Sequence, residues 1–325
     1  MDDINPPLAG QLPLFPALPI YTPRAWIKPL VRFPGGKSWI LPVLSRGIWL
    51  KMHRTPNAKF HEPFAGGAAA ALNLGWPATV LGDASPDLIT CYRAVRDDPK
   101  RVIEALAVLI GSTPDDDVQE QIVGVTKKGQ PKIKRTAPAY YQARSLYNDG
   151  VRDPAHRAAI RLYLAARCYN GLLRVNSKGK DNVPVGDIVR PCYPDEGDIA
   201  AFAKVAASWE IECADFEPSV DRAGEGSILW ADPPYAGGKE MFTGYTAAGF
   251  DWADQARLAD ALARARDRGV VVLHTNSDHE GVRDLYSARG FTIIPTAELR
   301  AVNRDAKGRK RAACLLVVSH EEVVG

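Results

Sequence analysis

Short apolar runs alternate with longer helical patterns in both outer parts of the chain. The clearest run, Ile228–Ala231, is followed by two prolines and a glycine pair, which is typical of a buried strand that stops abruptly. Strands that alternate with helices predict an α/β fold with a mostly parallel sheet, and the last two strands predict an antiparallel hairpin. Other strands are predicted at 59–62, 79–82, 209–213, 270–274, 291–294 and 313–318, and helices at 38–50, 68–74, 87–96, 252–268 and 280–289.

The middle of the chain has a different pattern, because helical stretches dominate there and strands are few. Ala158–Tyr169 is predicted to be an apolar helix, and Asn170–Gly186 is polar, Gly-rich and basic. The basic run Lys127–Arg135 surrounds a glycine, which is typical of a hairpin tip. We therefore predict a Pro-rich extended arm at 1–24, a main domain at 25–97 and 201–325, and an inserted, mainly helical domain at 98–200.

Composition narrows the classes of protein that fit. The 325 residues are 46% hydrophobic and carry a formal net charge of +3, which permits nucleic-acid binding without requiring it. The five cysteines are scattered and never in C-x-x-C spacing, so we expect reduced thiols and no metal site. No apolar run approaches the ~20 residues of a membrane span, and no signal-peptide pattern is present, so we expect a cytoplasmic protein.

The tetrapeptide Asp232-Pro233-Pro234-Tyr235 is the strongest chemical signal. Two prolines in a row make a rigid turn whose carbonyl groups are left without partners in the turn itself. At the carboxyl end of a parallel strand, such a turn lies where open α/β sheets bind ligands. A carboxylate, a carbonyl and an aromatic ring in one place could accept the two hydrogens of a nucleobase amine and stack on its ring.

Two glycine-rich loops indicate a cofactor site. Glu62–Ala68 places a glycine pair between a strand and a helix, and Asp83 ends the next strand, where a carboxylate would bind ribose hydroxyls. The missing G-x-G-x-x-G pattern argues against NAD. Phe33–Ser38 ends like a P-loop, but Val31 replaces its first glycine, so we reject an ATP site. Its Phe33 and Lys37 could instead contact a small zwitterionic cofactor.

These motifs together resemble the Dam family of S-adenosylmethionine-dependent DNA adenine-N6 methyltransferases. The resemblance covers about Val31 to Val318, and its motifs occur in the family's order: Arg32–Lys37, Glu62–Gly67, Asp83, Tyr169–Leu172 and Asp232–Tyr235. Two positions depart from the family pattern. Ala68 stands where the last glycine of F-x-G-x-G is usual, which should tighten the turn, and Phe33 stands where tryptophan is common.

The resemblance implies a Rossmann-like methyltransferase sheet with an inserted DNA-recognition domain, and it assigns roles to residues. Phe33 and Lys37 would contact the methionine part of S-adenosylmethionine, Asp83 its ribose, and Asp215 with Phe216 its adenine. The full set of implied cofactor residues is Phe33, Gly35, Gly36, Lys37, Phe64, Gly66, Asp83, Asp215, Phe216 and Asp232. Catalysis would rest on Asp232, Pro233 and Tyr235.

The implied reaction needs no covalent enzyme intermediate. The amine of adenine is a poor nucleophile, and hydrogen bonds to the Asp232 carboxylate and the Pro233 carbonyl would aim its lone pair at the methyl group for direct in-line transfer. The base must be flipped out of the duplex, and it would stack on Tyr235. Three aromatic residues downstream are candidates for the base pocket or for the core: Phe242, Tyr245 and Phe250.

The recognition domain implied by the resemblance would read double-stranded DNA. Arg174 is the first candidate for reading a base, because arginine can bind guanine with two hydrogen bonds in the major groove, and Arg32 is the second. The implied DNA-binding set is Arg32, Tyr169, Asn170, Leu172, Arg174, Asn182 and Pro184. Two further basic groups could be phosphate contacts or simply solvated: Lys127, Lys128, Lys132, Lys134 and Arg135, and Arg304, Lys307, Arg309, Lys310 and Arg311.

Three other functions stay open at this point. Cytosine-N4 methylation uses the same kind of amine and turn, RNA could replace DNA, and a DNA-binding regulator could have lost catalysis. The expectation is a monomer on DNA in the cytoplasm of a bacterial or phage system, associated with the nucleoid. A GATC-like target and a cognate restriction endonuclease are further expectations.

Overall fold

The structure is a computed structural model that describes residues 26–31, 33, 41, 55, 58–112, 119–125, 129–171, 174–186, 191–236, 249–299 and 311–319. The predicted arm at 1–24 and, apart from Leu41, the predicted helix at 38–50 lie outside these residues. The remaining predicted strands and helices are present, with ends shifted by a few residues.

Strands and helices alternate along the chain. The first part contains β1 (Phe60–Glu62), α1 (Ala69–Leu74), β2 (Thr79–Asp83), α2 (Pro86–Asp97) and α3 (Pro99–Gly111). The middle contains β3 (Gln119–Val125), β4 (Pro131–Thr136), α4 (Pro138–Asp149), α5 (Pro154–Arg167) and α6 (Glu196–Ala206). The last part contains β5 (Glu210–Cys213), α7 (Phe216–Asp221), β6 (Ile228–Ala231), α8 (Trp252–Asp267), β7 (Val271–Ser277), α9 (Glu280–Ser287), β8 (Thr292–Leu299) and β9 (Arg311–Val318).

Seven of the described strands form one sheet in the order β5-β2-β1-β6-β7-β9-β8. The first five are parallel, and β9 pairs antiparallel with both β7 and β8, which confirms the predicted hairpin. From β1 the chain moves to one side through β2 and then returns to place β6 on the other side. The strand order therefore reverses between β1 and β6, and crevices at such switch points are where open α/β sheets bind ligands.

Helices cover both faces of this sheet. Alternate residues of β6 enter two apolar clusters: Ile228 and Trp230 join the cluster beneath α1, α2 and α6, and Leu229 and Ala231 join the one beneath α7, α8 and α9. Burial on both faces explains why the strand is apolar throughout. The first cluster continues into α3, α4 and α5, so the apolar core runs through the predicted domain boundary near residue 98. The division into two domains stays a prediction.

A separate two-stranded sheet, β3 and β4, forms the hairpin predicted around the basic run. All of Gln119–Val125 is exposed, including Ile122 at 69%. Lys127 and Lys128 lie outside the described residues. Arg135 forms an ion pair with Glu120 across the two strands at 2.6 Å.

Ala68 adopts a left-handed backbone conformation immediately before α1. Its φ is 54° and its ψ is 28°, and it is the one non-glycine residue with positive φ among those that the structure describes. The residue is fully buried. A left-handed alanine costs roughly 1–2 kcal/mol, so the turn forms with the predicted extra methyl group but carries strain.

The strain at Ala68 can be measured by comparing two valine substitutions. Ala68→Val should lower the free energy of unfolding by more than Ala70→Val, because Ala70 is equally buried but lies in α1. Both variants add volume at a buried site, which lowers the free energy of unfolding by about 1–3 kcal/mol. Only Ala68→Val also places a β-branched side chain at positive φ. Chemical denaturation of both proteins gives the difference, and equal losses would contradict the strain.

Candidate active site

Three carboxyl groups end three neighbouring strands. Glu62 is the last residue of β1, Asp83 is the last of β2, and Asp232 follows β6 directly. Since these strands are parallel and adjacent, their carboxyl ends meet at one edge of the sheet. The structure therefore brings two of the predicted site residues, Asp83 and Asp232, to the switch point, together with Glu62.

The glycine turn after β1 is held by Asp83. The Gly66 N–H donates to Oδ2 of Asp83 at 3.1 Å, and the Ser85 N–H donates to Oδ1 at 2.9 Å. Burial raises the pKa of Asp83, while these two hydrogen bonds lower it and only partly compensate. Tyr92 donates its hydroxyl to the Gly66 carbonyl at 2.6 Å. Asp83 thus shapes the loop, and the ribose contact that the resemblance implies for it stays a prediction.

Both glycines of this turn allow the segment around Phe33 to come close. A Cβ atom at Gly66 would lie 3.3 Å from Cδ1 of Phe33, and one at Gly67 would lie 3.3 Å from the Val31 carbonyl oxygen. The close approach places Phe33 beside the glycine turn, and its contact with the cofactor stays a prediction. Arg32, Gly35, Gly36 and Lys37 lie outside the described residues.

Three aromatic rings cluster beside Asp215. Phe64 stacks on Phe216 with centroids 5.4 Å apart, and Phe250 contacts both rings. Arg257 lies over the Phe216 ring and donates two hydrogen bonds to Asp215 at 2.7 and 3.0 Å. Burial alone would raise the pKa of Asp215, but its hydrogen bonds with Arg257 lower it. Both predicted adenine contacts are therefore engaged within the protein, and Phe242 and Tyr245 lie outside the described residues.

The turn that follows β6 rests on side chains of β7 and α8. Thr275 donates its hydroxyl to Oδ1 of Asp232 at 2.7 Å, and Gln255 donates to the Pro234 carbonyl at 2.8 Å. The Ala236 N–H donates to Asn276 at 3.0 Å. Within the described part of the chain, no hydrogen bond reaches the Pro233 carbonyl. Both proline carbonyls were expected to lack a partner. The Pro234 carbonyl accepts a hydrogen bond from Gln255, whereas the Pro233 carbonyl accepts none from the described residues.

His274 lies directly beneath this turn and is neutral. Burial lowers its pKa to about 3, although a hydrogen bond with the Ala231 carbonyl opposes the shift. A carbonyl can only accept, so the proton lies on Nδ1, 3.1 Å from the Ala231 oxygen. The other ring nitrogen, Nε2, is then an acceptor and faces Nδ2 of Asn276 at 3.4 Å.

Residues 168–171 and 174–186 belong to the hairpin for which the resemblance implied DNA recognition. Tyr169 donates its N–H to the Pro184 carbonyl at 3.0 Å, and Arg174 donates from Nε to the Asn182 side chain at 2.8 Å. Four of the predicted DNA-binding residues therefore pair across this hairpin. The Asn170 backbone lies in a short 3-10 helix, and Leu172 lies outside the described residues.

Helices α4 and α5 hold the returning strand of this hairpin. Arg161 and Asp181, both almost fully buried, form an ion pair at 2.7 Å. Asn148 exchanges two hydrogen bonds with the backbone of Asp181, and the Tyr140 hydroxyl donates to the Val183 carbonyl at 2.9 Å. Removing either charge would leave the other buried and unpaired, which typically costs about 3–5 kcal/mol. The hairpin is thus a fixed part of the helical region.

The sequence placed Glu62 in a cofactor motif without a role of its own, and it gave no prediction for Gln255, Thr275 and Asn276. Thr275 and Asn276 belong to β7, which was predicted to end at His274 but continues to Ser277. Polar residues at the carboxyl end of an apolar strand are the signal that identified Asp83, and the same signal was present here. Gln255 gave no signal, because its position in an amphipathic helix predicts nothing about the turn it meets.

Among the residues that the structure describes, no group of three or more histidine, cysteine, aspartate or glutamate side chains could hold a metal ion. None of their helices is long and apolar enough to cross a membrane.

The known proteins with similar sequences include several named as methyltransferases or methylases. The family described as D12 class N6 adenine-specific DNA methyltransferase matches residues 33–302. A type II methyltransferase from Methanocaldococcus jannaschii is 30% identical over 88% of this chain and 95% of its own length. The DNA adenine methylase of Escherichia coli K12 is 29% identical over 93% of this chain and 97% of its own. The DNA N-6-adenine-methyltransferase of Escherichia phage P1 is 32% identical over 84% of this chain, which spans only 33% of that protein.

Glu62 provides a test of the electrostatics at this edge. Its Oε2 accepts from the Ala71 N–H at 2.9 Å, and burial, followed by the charges of Asp232 and Asp83, raises its pKa well above the usual range. The folded protein therefore binds a proton that the unfolded chain releases, and stability falls as pH rises above the ordinary glutamate pKa. Glu62→Gln keeps an acceptor for Ala71 and removes the proton. Its melting temperature should exceed that of the wild type increasingly between pH 5 and pH 9; a constant difference would contradict this pKa.

Proposed function

Because the chain belongs to the D12 class of N6 adenine-specific DNA methyltransferases, we propose that it transfers a methyl group from S-adenosylmethionine to N6 of adenine in duplex DNA, with Asp232 at the catalytic site. One observation carries the assignment of the site. The Asp232-Pro233 acceptors lie at the switch point of the sheet, beside the glycine turn held by Asp83.

The residues at the switch point fit the proposed cofactor. S-adenosylmethionine carries its methyl group on a positively charged sulfur, and it also has an ammonium group, a ribose and an adenine. The carboxylates of Asp83 and Asp232 suit its positive charge and hydroxyl groups, and Phe33 and Phe64 offer apolar surface beside Gly66. Asp215 and Phe216 would stand near the adenine, and Gly35, Gly36 and Lys37 keep the roles that the resemblance gave them.

Asp232 and Pro233 would prepare the adenine amine. Its lone pair is delocalised into the ring, so the nitrogen attacks poorly without help. The Asp232 carboxylate and the Pro233 carbonyl would each accept one N–H, which favours a pyramidal nitrogen and directs its lone pair. The prolines hold these acceptors in place before the base arrives, so little reorganisation is needed during transfer.

Tyr235 would receive the flipped base. An amine inside a duplex cannot reach the acceptors, so the adenine must leave the stack and meet an aromatic platform. Tyr235 is partly buried at the end of the same turn. Phe250 packs on Phe64 and Phe216, which favours a role in the core over a role in the base pocket.

The hairpin at 168–186 would select the target sequence. Tyr169 is 41% exposed, and Asn176 closes the tip by accepting the N–H groups of Lys178 and Lys180. Arg174, oriented by Asn182, would bind guanine in the major groove. A GATC-like site is proposed, with Arg32, Asn170, Leu172 and Pro184 as further contacts. The protein would act as a monomer on DNA, and the name type II methyltransferase of the M. jannaschii relative supports a role in restriction–modification.

The first experiment identifies the methylated nucleoside. Purified protein, unmethylated DNA and methyl-labelled S-adenosylmethionine should give label in N6-methyl-2′-deoxyadenosine after digestion to nucleosides. Asp232→Ala should slow transfer by at least on the order of 10³-fold, because it removes an acceptor aimed at the reacting amine, while DNA binding persists. Asp97→Ala, an exposed aspartate far along α2, is the control. Turnover by Asp232→Ala at the control rate would falsify the mechanism.

Arg174 is tested by comparing sequence choice with overall binding. Arg174→Ala should lower the preference for the target over single-base variants by about 1–3 kcal/mol at one position. Lys178→Ala, at the exposed hairpin tip, is the matched control: it should weaken binding to all sequences about equally and reduce the salt dependence. Binding to a panel of duplexes at two salt concentrations measures both, and unchanged preference in Arg174→Ala would remove it from base reading.

A further inference from the structure

Three buried polar side chains hold the turn at Asp232 from below. Gln255, Thr275 and Asn276, here called the polar clamp, are 2%, 0% and 0% exposed. They come from α8 and β7, and each bonds to the turn at a different residue. Burying polar groups is costly unless every group has a partner, and each side chain of this clamp has one, so the network can hold the turn in a single geometry.

The amide groups of the clamp have one consistent orientation. Oδ1 of Asn276 accepts from the N–H groups of Ala236 and Ser277 at 3.0 and 2.8 Å. Its Nδ2 must then donate to Oε1 of Gln255, at 2.9 Å, which leaves Nε2 of Gln255 to donate to the Pro234 carbonyl at 2.8 Å. The network itself therefore fixes both amide assignments.

Holding the Pro234 carbonyl also restricts its neighbour. The rings of Pro233 and Pro234 fix φ at both residues, so one anchored carbonyl limits the peptide plane that precedes it. The Pro233 carbonyl belongs to that plane. Gln255 therefore acts on an acceptor of the amine without touching the amine.

Thr275 acts on the other acceptor. A hydroxyl has one hydrogen, and here it points to Oδ1 of Asp232. The bond opposes rotation of the carboxylate, so both oxygens keep a fixed direction toward the base. The positions of groups at a reacting centre strongly affect the rate, because a shift of about 1 Å can lower the rate on the order of 10²-fold.

We propose that the polar clamp positions the two acceptors for methyl transfer, with Thr275 orienting the Asp232 carboxylate and Gln255, held by Asn276, orienting the turn. The clamp residues are positioning residues that act through Asp232 and Pro233. The proposal rests on the proposed function of Asp232.

The test is the rate of methyl transfer in a single turnover, with saturating DNA and S-adenosylmethionine. Thr275→Val, which keeps the shape and removes the hydroxyl, should slow this rate at least about tenfold. The KM values for DNA and cofactor should change less than about twofold, since the clamp bonds only to the turn. Thr275→Ser restores the donor and should recover most of the rate.

Thr79→Val is the matched control. Thr79 is also a buried threonine that begins a parallel strand, and its hydroxyl donates to the Trp76 carbonyl at 2.6 Å. Thr79 is the first residue of β2 and Asp83 is the last, so Thr79 lies at the end of the strand away from the candidate site. The same chemical change there should lower the melting temperature and leave the transfer rate unaltered.

A second variant and a reference complete the test. Gln255→Met removes the donor to Pro234 at similar size and should also slow transfer; it decides the matter if Thr275→Val does not fold.

Normal rates in the folded clamp variants overturn the proposal, as does an equal loss in Thr79→Val or no recovery in Thr275→Ser. Asp232→Ala is measured alongside: if it is inactive while the clamp variants are normal, only the clamp role fails, and if it is active the proposed function fails too.

Discussion

The closeness of three carboxyl groups at one sheet edge is the constraint on which the surrounding structure depends. Glu62, Asp83 and Asp232 end adjacent parallel strands, so they cannot move apart without breaking the sheet. The structure resolves the repulsion locally. Burial favours the protonated form of Glu62, backbone N–H groups hold Asp83, and a hydroxyl holds Asp232. A site suited to a cationic, nucleoside-bearing cofactor therefore forms without leaving three bare charges in the interior.

Backbone conformation also fixes the geometry of the two turns at this edge of the sheet. Glycines at 66 and 67 admit Phe33, and the left-handed Ala68 completes the turn at the expense of some strain. On the other side of the switch point, two prolines stiffen the turn, and the side-chain amides of Gln255 and Asn276 form hydrogen bonds with its backbone. Strained or rigid backbone next to a reacting centre is the usual way of holding a geometry that packing alone would not select.

Sequence patterns predicted the sheet and the acid-bearing strand ends, because buried parallel strands are apolar throughout and their ends are marked by glycine, proline and aspartate. They failed where a contact depends on two distant elements. Gln255 meets Pro234 only because α8 packs on the same face of the sheet as Leu229 and Ala231 of β6, and Asp215 meets Arg257 only because α7 packs on α8. The short helix α7 and the extension of β7 through Thr275 and Asn276 were also missed. The Arg174–Asn182 pair was not foreseen either, although both residues had been placed in one hairpin.

The hairpin formed by residues 168–171 and 174–186 is anchored by its returning strand, and Arg174 is tied to that strand through Asn182, whereas the exposed tip lies beyond these bonds. The buried Arg161–Asp181 pair and the bonds to Val183 involve α4 and α5, and none of them involves the carboxylates at the sheet edge. Under the proposed roles, sequence reading and methyl transfer would therefore depend on separate contacts. Substitutions in residues 174–180 would then change the preferred DNA sequence without altering the contacts at Asp232, and enzymes of this design would acquire new targets without passing through inactive ancestors.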